Sequence, residues 1–171
     1  VEEGIAVATP ADVIKFLRTL MQCLDQPSKE PRTSVFIDAR YHGLRTEAMV
    51  EYVVRVLLSV YPESERVSIL VLTTVYWARY HRIQRCNTLE FHLLWLTAFI
   101  VALKYQDDDV ISNKRYARCL HMSTARLNTM EVEFVFAVHF HLFLSIPLYK
   151  SSTRYIINNR PQEFLKLHGR N

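Results

Sequence analysis

The most constraining feature of this sequence is the segment from residue 91 to residue 103, which is apolar on nearly every side of a helix. Within it, residues 93–103 are interrupted only by Thr97, and His92 and Lys104 bound the run. The run is well short of the roughly 18 residues needed to cross a bilayer, which argues against insertion in a membrane. A helix that is apolar all round must then be enclosed by other helices.

Apolar residues recur at spacings of three and four in several further segments, the pattern of amphipathic helices. Thr9, Ser112 and Ser123 are suited to cap helices, and Pro62 disfavours helix at the residue before it. The predicted helices cover residues 10–25, 49–61, 64–82, 88–103 and 112–120, and a last long helix runs from residue 123 to at least His141. Residues 25–45 lose the periodicity and are predicted to be a connecting segment.

The composition and the pattern together predict an all-α domain. Half of the 171 residues are apolar and only three are glycine, which excludes disordered, collagen-like and glycine-rich classes. No internal repeat and no alternating strand pattern is present. We therefore expect a helical bundle around the apolar helix of residues 91–103.

The sequence offers little for catalysis or metal binding. Its three cysteines form no Cys-x-x-Cys pair, so neither a disulfide framework nor a cysteine-ligated zinc site is indicated, and a reducing compartment is expected. The pairs Cys119-x-His121 and His139-x-His141 are candidate metal ligands by residue type, but residues two apart on a helix point in nearly opposite directions. With no glycine-rich phosphate loop and no acid/base constellation, the sequence predicts no metal, no cofactor, no small-molecule substrate and no enzymatic activity.

One basic cluster invites a binding function. Its cations are Arg79, His81, Arg82 and Arg85, and its aromatic neighbours are Trp77 and Tyr80. Such a composition can contact a phosphate or an acidic partner. It also suits the solvated end of a helix, where cations interact with the backbone dipole. The net charge is only +4, and four cations make a weak footprint for nucleic acid, which favours the helix-end interpretation.

Four segments follow one another in a recognisable order. They are Glu51-Tyr52-Val53-Val54-Arg55, then Leu96-Thr97-Ala98 with Val101-Ala102-Leu103-Lys104-Tyr105, then Ser112-Asn113-Lys114-Arg115-Tyr116-Ala117, and Leu127-Asn128-Thr129-Met130-Glu131-Val132-Glu133-Phe134. Over residues 46–145 this order resembles the cyclin box, the five-helix module of the cyclins. The third and fourth segments most resemble the phosphate-regulon (P/U) type of fungi and protists.

The resemblance implies a division of the chain into three parts. Residues 1–45 would be an N-terminal helix and a connecting segment, residues 46–145 a cyclin box, and residues 146–171 a short C-terminal extension. About 25 residues after the box leave no room for a second one, as in one-box P/U cyclins. The Met-Arg-Ala-Ile-Leu motif with which mitotic and S-phase cyclins recruit substrates is replaced by Met49-Val50-Glu51-Tyr52-Val53, which argues against recruitment through that groove.

The resemblance also implies a kinase-binding site. Cyclins are not enzymes but regulatory subunits of cyclin-dependent protein kinases, and Lys104 and Glu131 match the lysine and glutamate that pair and hydrogen-bond the kinase backbone. The matching apolar groove comprises Val101, Tyr105, Val135, Phe140 and Leu142. The spacing of Glu131, Val135 and Leu142 predicts that they share a helix face, whereas Phe140 points elsewhere on a continuous helix.

Two functions are therefore carried forward. The first is a cyclin of the nucleus and/or cytoplasm that binds and activates a cyclin-dependent protein kinase in cell-cycle or phosphate signalling. The alternative is a cyclin-like adaptor that binds a peptide or nucleic acid in transcription regulation. The basic cluster at Arg79, Arg82 and Arg85 is the support for the adaptor, and a steep dependence of binding on salt would favour it.

Overall fold

A computed structural model describes residues 7–27, 34–41, 43–107 and 111–169. In these ranges the chain forms eight α-helices and no strand, which confirms the predicted all-α class. The helices are α1 (Pro10–Gln22), α2 (Thr46–Tyr52), α3 (Glu63–Ile83), α4 (Phe91–Gln106), α5 (Asn113–Cys119), α6 (Thr124–Ala137), α7 (Ile146–Ile157) and α8 (Pro161–Gly169).

Helix α4 is the centre of the bundle. Every residue from 91 to 103 is buried, as expected of a helix that is apolar on all sides, and α4 packs against α3 and α6. Its single polar residue in the middle, Thr97, donates its hydroxyl to the carbonyl of Leu93 at 2.7 Å. The hydroxyl is thereby satisfied within its own helix, so it interrupts neither the packing nor the helix.

Helix α1 begins where the sequence predicts. The Thr9 hydroxyl accepts from the backbone N–H of Asp12 at 3.2 Å, and the Asp12 carboxylate accepts from the Thr9 N–H at 2.9 Å. This capping box satisfies two backbone donors at the helix start. The apolar face of α1 packs on α2, α3, α7 and α8.

The predicted connecting segment contributes to the core and contains a short helical turn. Phe36 is fully buried and packs edge-on against Tyr80, with ring centroids 5.7 Å apart, and residues 39–41 form a 3-10 turn. Residues 28–33 and 42 of the predicted connection lie outside the described residues.

The prediction of one helix over residues 49–61 is wrong in part. Helix α2 passes at Val53 into a π-helical turn that ends at Leu57, and the N–H of Leu58 donates to the carbonyl of Val53 at 3.0 Å. Val53 and Leu58 are both fully buried. A wider turn brings residues five apart closer to one face, so both can enter the core, and the β-branched Val53, Val54 and Val56 favour a regular helix only weakly.

The prediction that the last box helix runs to His141 is also wrong, because α6 ends at Ala137. The N–H of Phe140 donates to the carbonyl of Val135, and the N–H of His139 donates to that of Phe136, each at 3.0 Å. His139 and Phe140 both have positive φ. These two bonds are the Schellman arrangement that closes a helix. Leu142 therefore does not share a helix face with Glu131, and His139-x-His141 is not helical.

The C-terminal extension is part of the same core. Ser145 caps α7 through the N–H of Leu148, and the ring of Phe164 in α8 lies edge-on to Phe16 of α1, with centroids 5.0 Å apart. Helices α7 and α8 both pack on α1 and α3. The sequence analysis assigned no helix here, and the domain limits 1–45, 46–145 and 146–171 stay a prediction.

Candidate functional site

An ion pair joins the end of α4 to α6. Lys104 lies in the last turn of α4, and its ammonium donates to both carboxylate oxygens of Glu131 at 2.8 Å. The two side chains are 24% and 21% exposed, so the pair is partly desolvated but still reached by solvent. The structure thus contains the ion pair that the resemblance implies, and its contact with a kinase stays a prediction.

Asn113 bonds both members of this pair, and Asn128 bonds Asn113. The Lys104 ammonium also donates to the side-chain oxygen of Asn113, the first residue of α5. The Asn113 amide in turn donates to Asn128 at 2.6 Å and to Glu131 at 3.2 Å. The pair is therefore part of a network that ties α4, α5 and α6 together, and both of its side chains remain partly exposed. Such a partly buried, pre-oriented pair can hydrogen-bond the backbone of a docked chain.

The apolar residues predicted to accompany the pair differ in exposure. Tyr105 and Phe140 are exposed, the latter at 61%, whereas Val135 and Leu142 are partly buried. Val101 is only 4% exposed, so it belongs to the core beneath the surface rather than to the surface itself. Phe140 is brought outward because α6 ends before it, contrary to its expected direction on a continuous helix.

The sequence analysis missed four exposed apolar residues in this region of the chain. They are Val132, Phe136, Phe143 and Ile146. Val132 and Phe136 are one turn apart on α6, and the ring of Phe136 lies edge-on to that of Phe140 at 5.0 Å. We call Tyr105, Val132, Phe136, Phe140, Phe143 and Ile146 the exposed apolar set. Exposed apolar side chains that touch one another, as the rings of Phe136 and Phe140 do, are typical of interaction sites.

Arg79, predicted as a phosphate contact, is used inside the molecule. Its guanidinium donates to the carbonyl of His141 at 2.8 Å and to that of Phe143 at 2.9 Å, and it lies over the ring of Tyr76. Burial lowers the pKa of Arg79 below its usual value. The Tyr76 hydroxyl donates to the carbonyl of Leu142 at 2.6 Å. The structure thus places Arg79 under residues 139–145 rather than in a group with the other cations.

The rest of the basic cluster is divided. Arg82 and Arg85 are exposed near the end of α3, and the Arg85 guanidinium lies 3.3 Å from the Asp25 carboxylate. His81 accepts from the N–H of Cys86 at 2.9 Å and stacks on Trp77, and burial lowers its pKa. Trp77 and Tyr80 are buried, so neither ring can stack on a base. The stacking platform needed for single-stranded nucleic acid is therefore missing at this cluster.

A separate cavity lies on the side of α2. It has a volume of about 480 Å³ and is bordered by the end of α5 and by Arg40, Tyr41 and Leu44. The hydroxyls of Tyr41 and Tyr52 donate to the carbonyls of Leu120 and Cys119 at 2.7 and 2.6 Å, which fixes its walls. Met49 also lines the cavity. The cavity therefore lies beside the helix in which the Met-Arg-Ala-Ile-Leu motif of substrate-recruiting cyclins is replaced.

The described residues contain neither a metal cluster nor a membrane-spanning helix. Over residues 7–27, 34–41, 43–107 and 111–169, no group of three or more His, Cys, Asp or Glu side chains is placed to hold a metal ion. In the same ranges no helix combines the length and the apolar character needed to span a membrane.

Comparisons with known proteins agree with the sequence resemblance. A sequence model of the Cyclin family matches residues 28–142, which is more than half of the chain. Cyclin-P3-1 of Oryza sativa subsp. japonica is 29% identical over 113 residues, which make up 61% of this chain and 47% of that protein. The chain thus spans about half the length of this curated relative. No solved structure matches this chain significantly.

Proposed function

The chain belongs to the cyclin family, and we propose that it binds and activates a cyclin-dependent protein kinase. Cyclins are regulatory, non-catalytic proteins. The single observation that carries the proposal is the partly buried Lys104–Glu131 pair, in a chain whose neighbouring positions Tyr105 and Val132 are exposed and apolar. A charged anchor with apolar neighbours is a common composition for a specific docking surface.

The proposed mechanism is allosteric. Docking would bias the regulatory helix of the kinase so that its glutamate pairs with the kinase's own β3 lysine, which completes the ATP site. The cyclin would contribute a surface that binds the active arrangement better than the inactive one, and this difference in affinity is the whole of its effect. No proton transfer or covalent step is assigned to this chain.

The surface suits a helix and its flanking backbone. An interface of this kind should bury more than about 1,000 Å² and depend on a few anchors. The Glu131 carboxylate has acceptor capacity beyond its bonds to Lys104 and Asn113, so it can accept from a kinase N–H. The exposed rings of Phe136 and Phe140 would lose their contact with water on docking, which stabilises the complex.

The adaptor remains a second candidate on one observation. The cavity at Met49, Tyr52 and Leu96 can accept an apolar side chain of a peptide. Nucleic acid is less well supported, since Arg79 is engaged with backbone carbonyls and the aromatic rings beside the cluster are buried. Binding that weakens steeply with salt and depends on Arg82 and Arg85 would favour that form of the adaptor.

The cellular process and location of the proposed activity are inferred from the family. We propose a role in cell-cycle control or in phosphate signalling, with the protein located in the nucleus, the cytoplasm or both. The P-type name of the rice relative supports the comparison with P/U cyclins and is a property of that protein.

Affinity capture from lysate of the source cells tests the proposal. The baits are the wild type and a Lys104→Glu/Glu131→Lys double variant, whose fold is checked by circular dichroism. We expect the wild type to retain a protein kinase and the folded variant to lose it. If both baits retain nucleic acid or another regulator but no kinase, the adaptor replaces the cyclin as the leading function.

A further inference from the structure

The residues after α6 adopt an unusual backbone. His139 and Phe140 both have φ near +55°, a region that side chains other than glycine occupy at some cost. Neither residue is a glycine, and a bulky residue such as Phe140 rarely adopts this conformation. The two Schellman bonds to Val135 and Phe136 favour it from the end of α6. Further interactions come from the rest of the molecule.

Those interactions come from α3. Arg79 donates to the carbonyls of His141 and Phe143, and the Tyr76 hydroxyl donates to the carbonyl of Leu142 between them. Three consecutive carbonyls are thus held by two side chains one turn apart on one helix face. A guanidinium is suited to this task because its planar fork presents several donors in fixed directions.

The same two side chains connect this segment to the ion-pair region. The Arg79 guanidinium lies 5.9 Å from the centroid of the Tyr76 ring, and the Tyr76 ring lies edge-on to that of Tyr105 at 6.5 Å. Tyr105 follows Lys104 directly in the chain. Phe140, which precedes the held carbonyls, and Phe143, which carries the last of them, are among the most exposed apolar residues of the described part of the chain.

We propose that Arg79 and Tyr76 are positioning residues that hold residues 139–143 in the one conformation that presents Phe140 and Phe143 to the kinase. This inference rests on the proposed function for the identity of the partner. It assigns to Arg79 an effect on binding without any contact with the partner. Without the two side chains, the segment samples other conformations, and only the fraction of molecules in the held conformation can dock.

Hydrogen exchange on the free chain tests the holding itself. In Arg79→Ala, the N–H groups of Phe140 and Leu142, which are bonded to Val135 and Phe140, should exchange roughly tenfold faster. Exchange in α4 should not change. Arg82→Ala, an exposed arginine of the same helix, is the control and should leave both regions as in the wild type. Unchanged exchange at residues 140 and 142 in Arg79→Ala would overturn the proposal.

Binding kinetics with the captured kinase test the consequence. Arg79→Ala should lower the association rate by the factor by which it depopulates the held conformation, with the dissociation rate unchanged within about twofold. Phe140→Ala, which removes a contact, should instead raise the dissociation rate. Faster exchange with a wild-type association rate would show that the ordering of this segment does not limit docking, and would overturn the inference.

Two further variants keep the outcomes separable. Tyr76→Phe removes only the hydroxyl that donates to Leu142, so it provides the same test with a smaller effect if Arg79→Ala does not fold. Arg79→Lys keeps the charge and can reach one carbonyl, so it should restore part of the association rate. If the wild type binds no kinase, the proposed function fails together with the kinase part of this inference, while the exchange data still decide whether Arg79 holds the segment.

Discussion

Lys104 and Glu131 are 27 residues apart and lie on different helices, yet the lysine ammonium is 2.8 Å from both oxygens of the glutamate. Neither side chain is deeply buried, but both are held in place because Asn113 forms a hydrogen bond with each of them. The free chain therefore already holds the pair in one orientation. A partner that uses this pair does not have to order it first, which favours binding.

Removing Lys104 should weaken the complex far more than the free chain. We expect Lys104→Ala to reduce kinase affinity by about 2 to 5 kcal/mol, since Glu131 would be desolvated in the interface without its cation. The free energy of unfolding should fall by about 1 kcal/mol or less, as is usual for a solvent-reached pair. Isothermal titration calorimetry and urea unfolding give the two values. Lys114→Ala, an exposed lysine of α5, is the control, and equal affinities for the two variants would contradict the assignment.

Asn113 should matter more than Asn128, although the two amides bond each other. Asn113 bonds Lys104, Glu131 and Asn128, whereas the Asn128 oxygen accepts from Asn113 alone among the contacts of this network. We expect Asn113→Ala to lower the free energy of unfolding by about 1 kcal/mol and kinase affinity severalfold. The effects of Asn128→Ala should be smaller in both measurements. A larger loss of affinity for Asn128→Ala would show that the orientation of the pair depends on something other than Asn113.

Substitution of two nearby phenylalanines should distinguish an effect on kinase binding from an effect on the stability of the fold. Phe134 is fully buried, stacked on Tyr80, whereas Phe140 is 61% exposed. Phe134→Ala should destabilise the fold by about 3 to 5 kcal/mol through cavity formation. Phe140→Ala should change the unfolding midpoint little and reduce kinase affinity by about 2 kcal/mol, the effect of a central anchor. Wild-type affinity for Phe140→Ala would remove this residue from the interface.

Two buried histidines predict loss of stability in mild acid. Burial lowers the pKa of both His92 and His168 to about 4, and each is hydrogen-bonded to a hydroxyl, of Thr46 and Ser152 respectively. Between about pH 6.5 and pH 4 the unfolded chain binds more protons than the folded one, so the free energy of unfolding falls as the pH is lowered. Each histidine contributes up to about 3 kcal/mol of this change.

Urea unfolding at several pH values between 7 and 4.5 measures this effect. In a His92→Gln/His168→Gln variant the dependence on pH should be much flatter over that range. His141→Gln, which changes an exposed histidine, should retain the wild-type dependence. A double variant as sensitive to acid as the wild type would show that other groups are responsible.

The central helix could be predicted because its signal is local. Thirteen consecutive residues of α4 are buried. A run of apolar residues without a polar face predicts a helix that other helices enclose. The start of α1 could be predicted in the same way, since Thr9 is suited to an N-cap and the helical apolar spacing begins just after it. In both cases the residues that decide the structure are neighbours in the chain.

The end of α6 could not be predicted from the same kind of pattern. The apolar stripe continues through Val138, and His139 stands at the left-handed position where glycine is the usual signal. The conformation is held from α3, more than 60 residues away, by Tyr76 and Arg79. By contrast, Ser145 and Pro147 are a local signal for the start of α7, from which this helix could have been predicted.

The candidate site depends both on local sequence signals and on contacts between residues far apart in the chain. Spacing alone is consistent with Lys104 as a cation at a helix C-terminus and Glu131 as a polar residue at the rim of a helix, and only the resemblance predicts that the two side chains pair. Arg79 shows the limit of charge patterns, because a solvated arginine and one that donates to backbone carbonyls of its own chain look the same in a sequence. The confirmed parts are the all-α fold and the cyclin family, and the kinase contacts stay a prediction.

The most direct measurement is phosphate transfer by the captured kinase, purified and assayed alone, with the wild-type chain and with Lys104→Ala. The account predicts a large increase in kcat/KM for a protein substrate with the wild type. Lys104→Ala should produce the same final activity only at much higher concentration, because it weakens docking. A kinase that binds the wild type but shows no increase in activity at saturation would contradict the account.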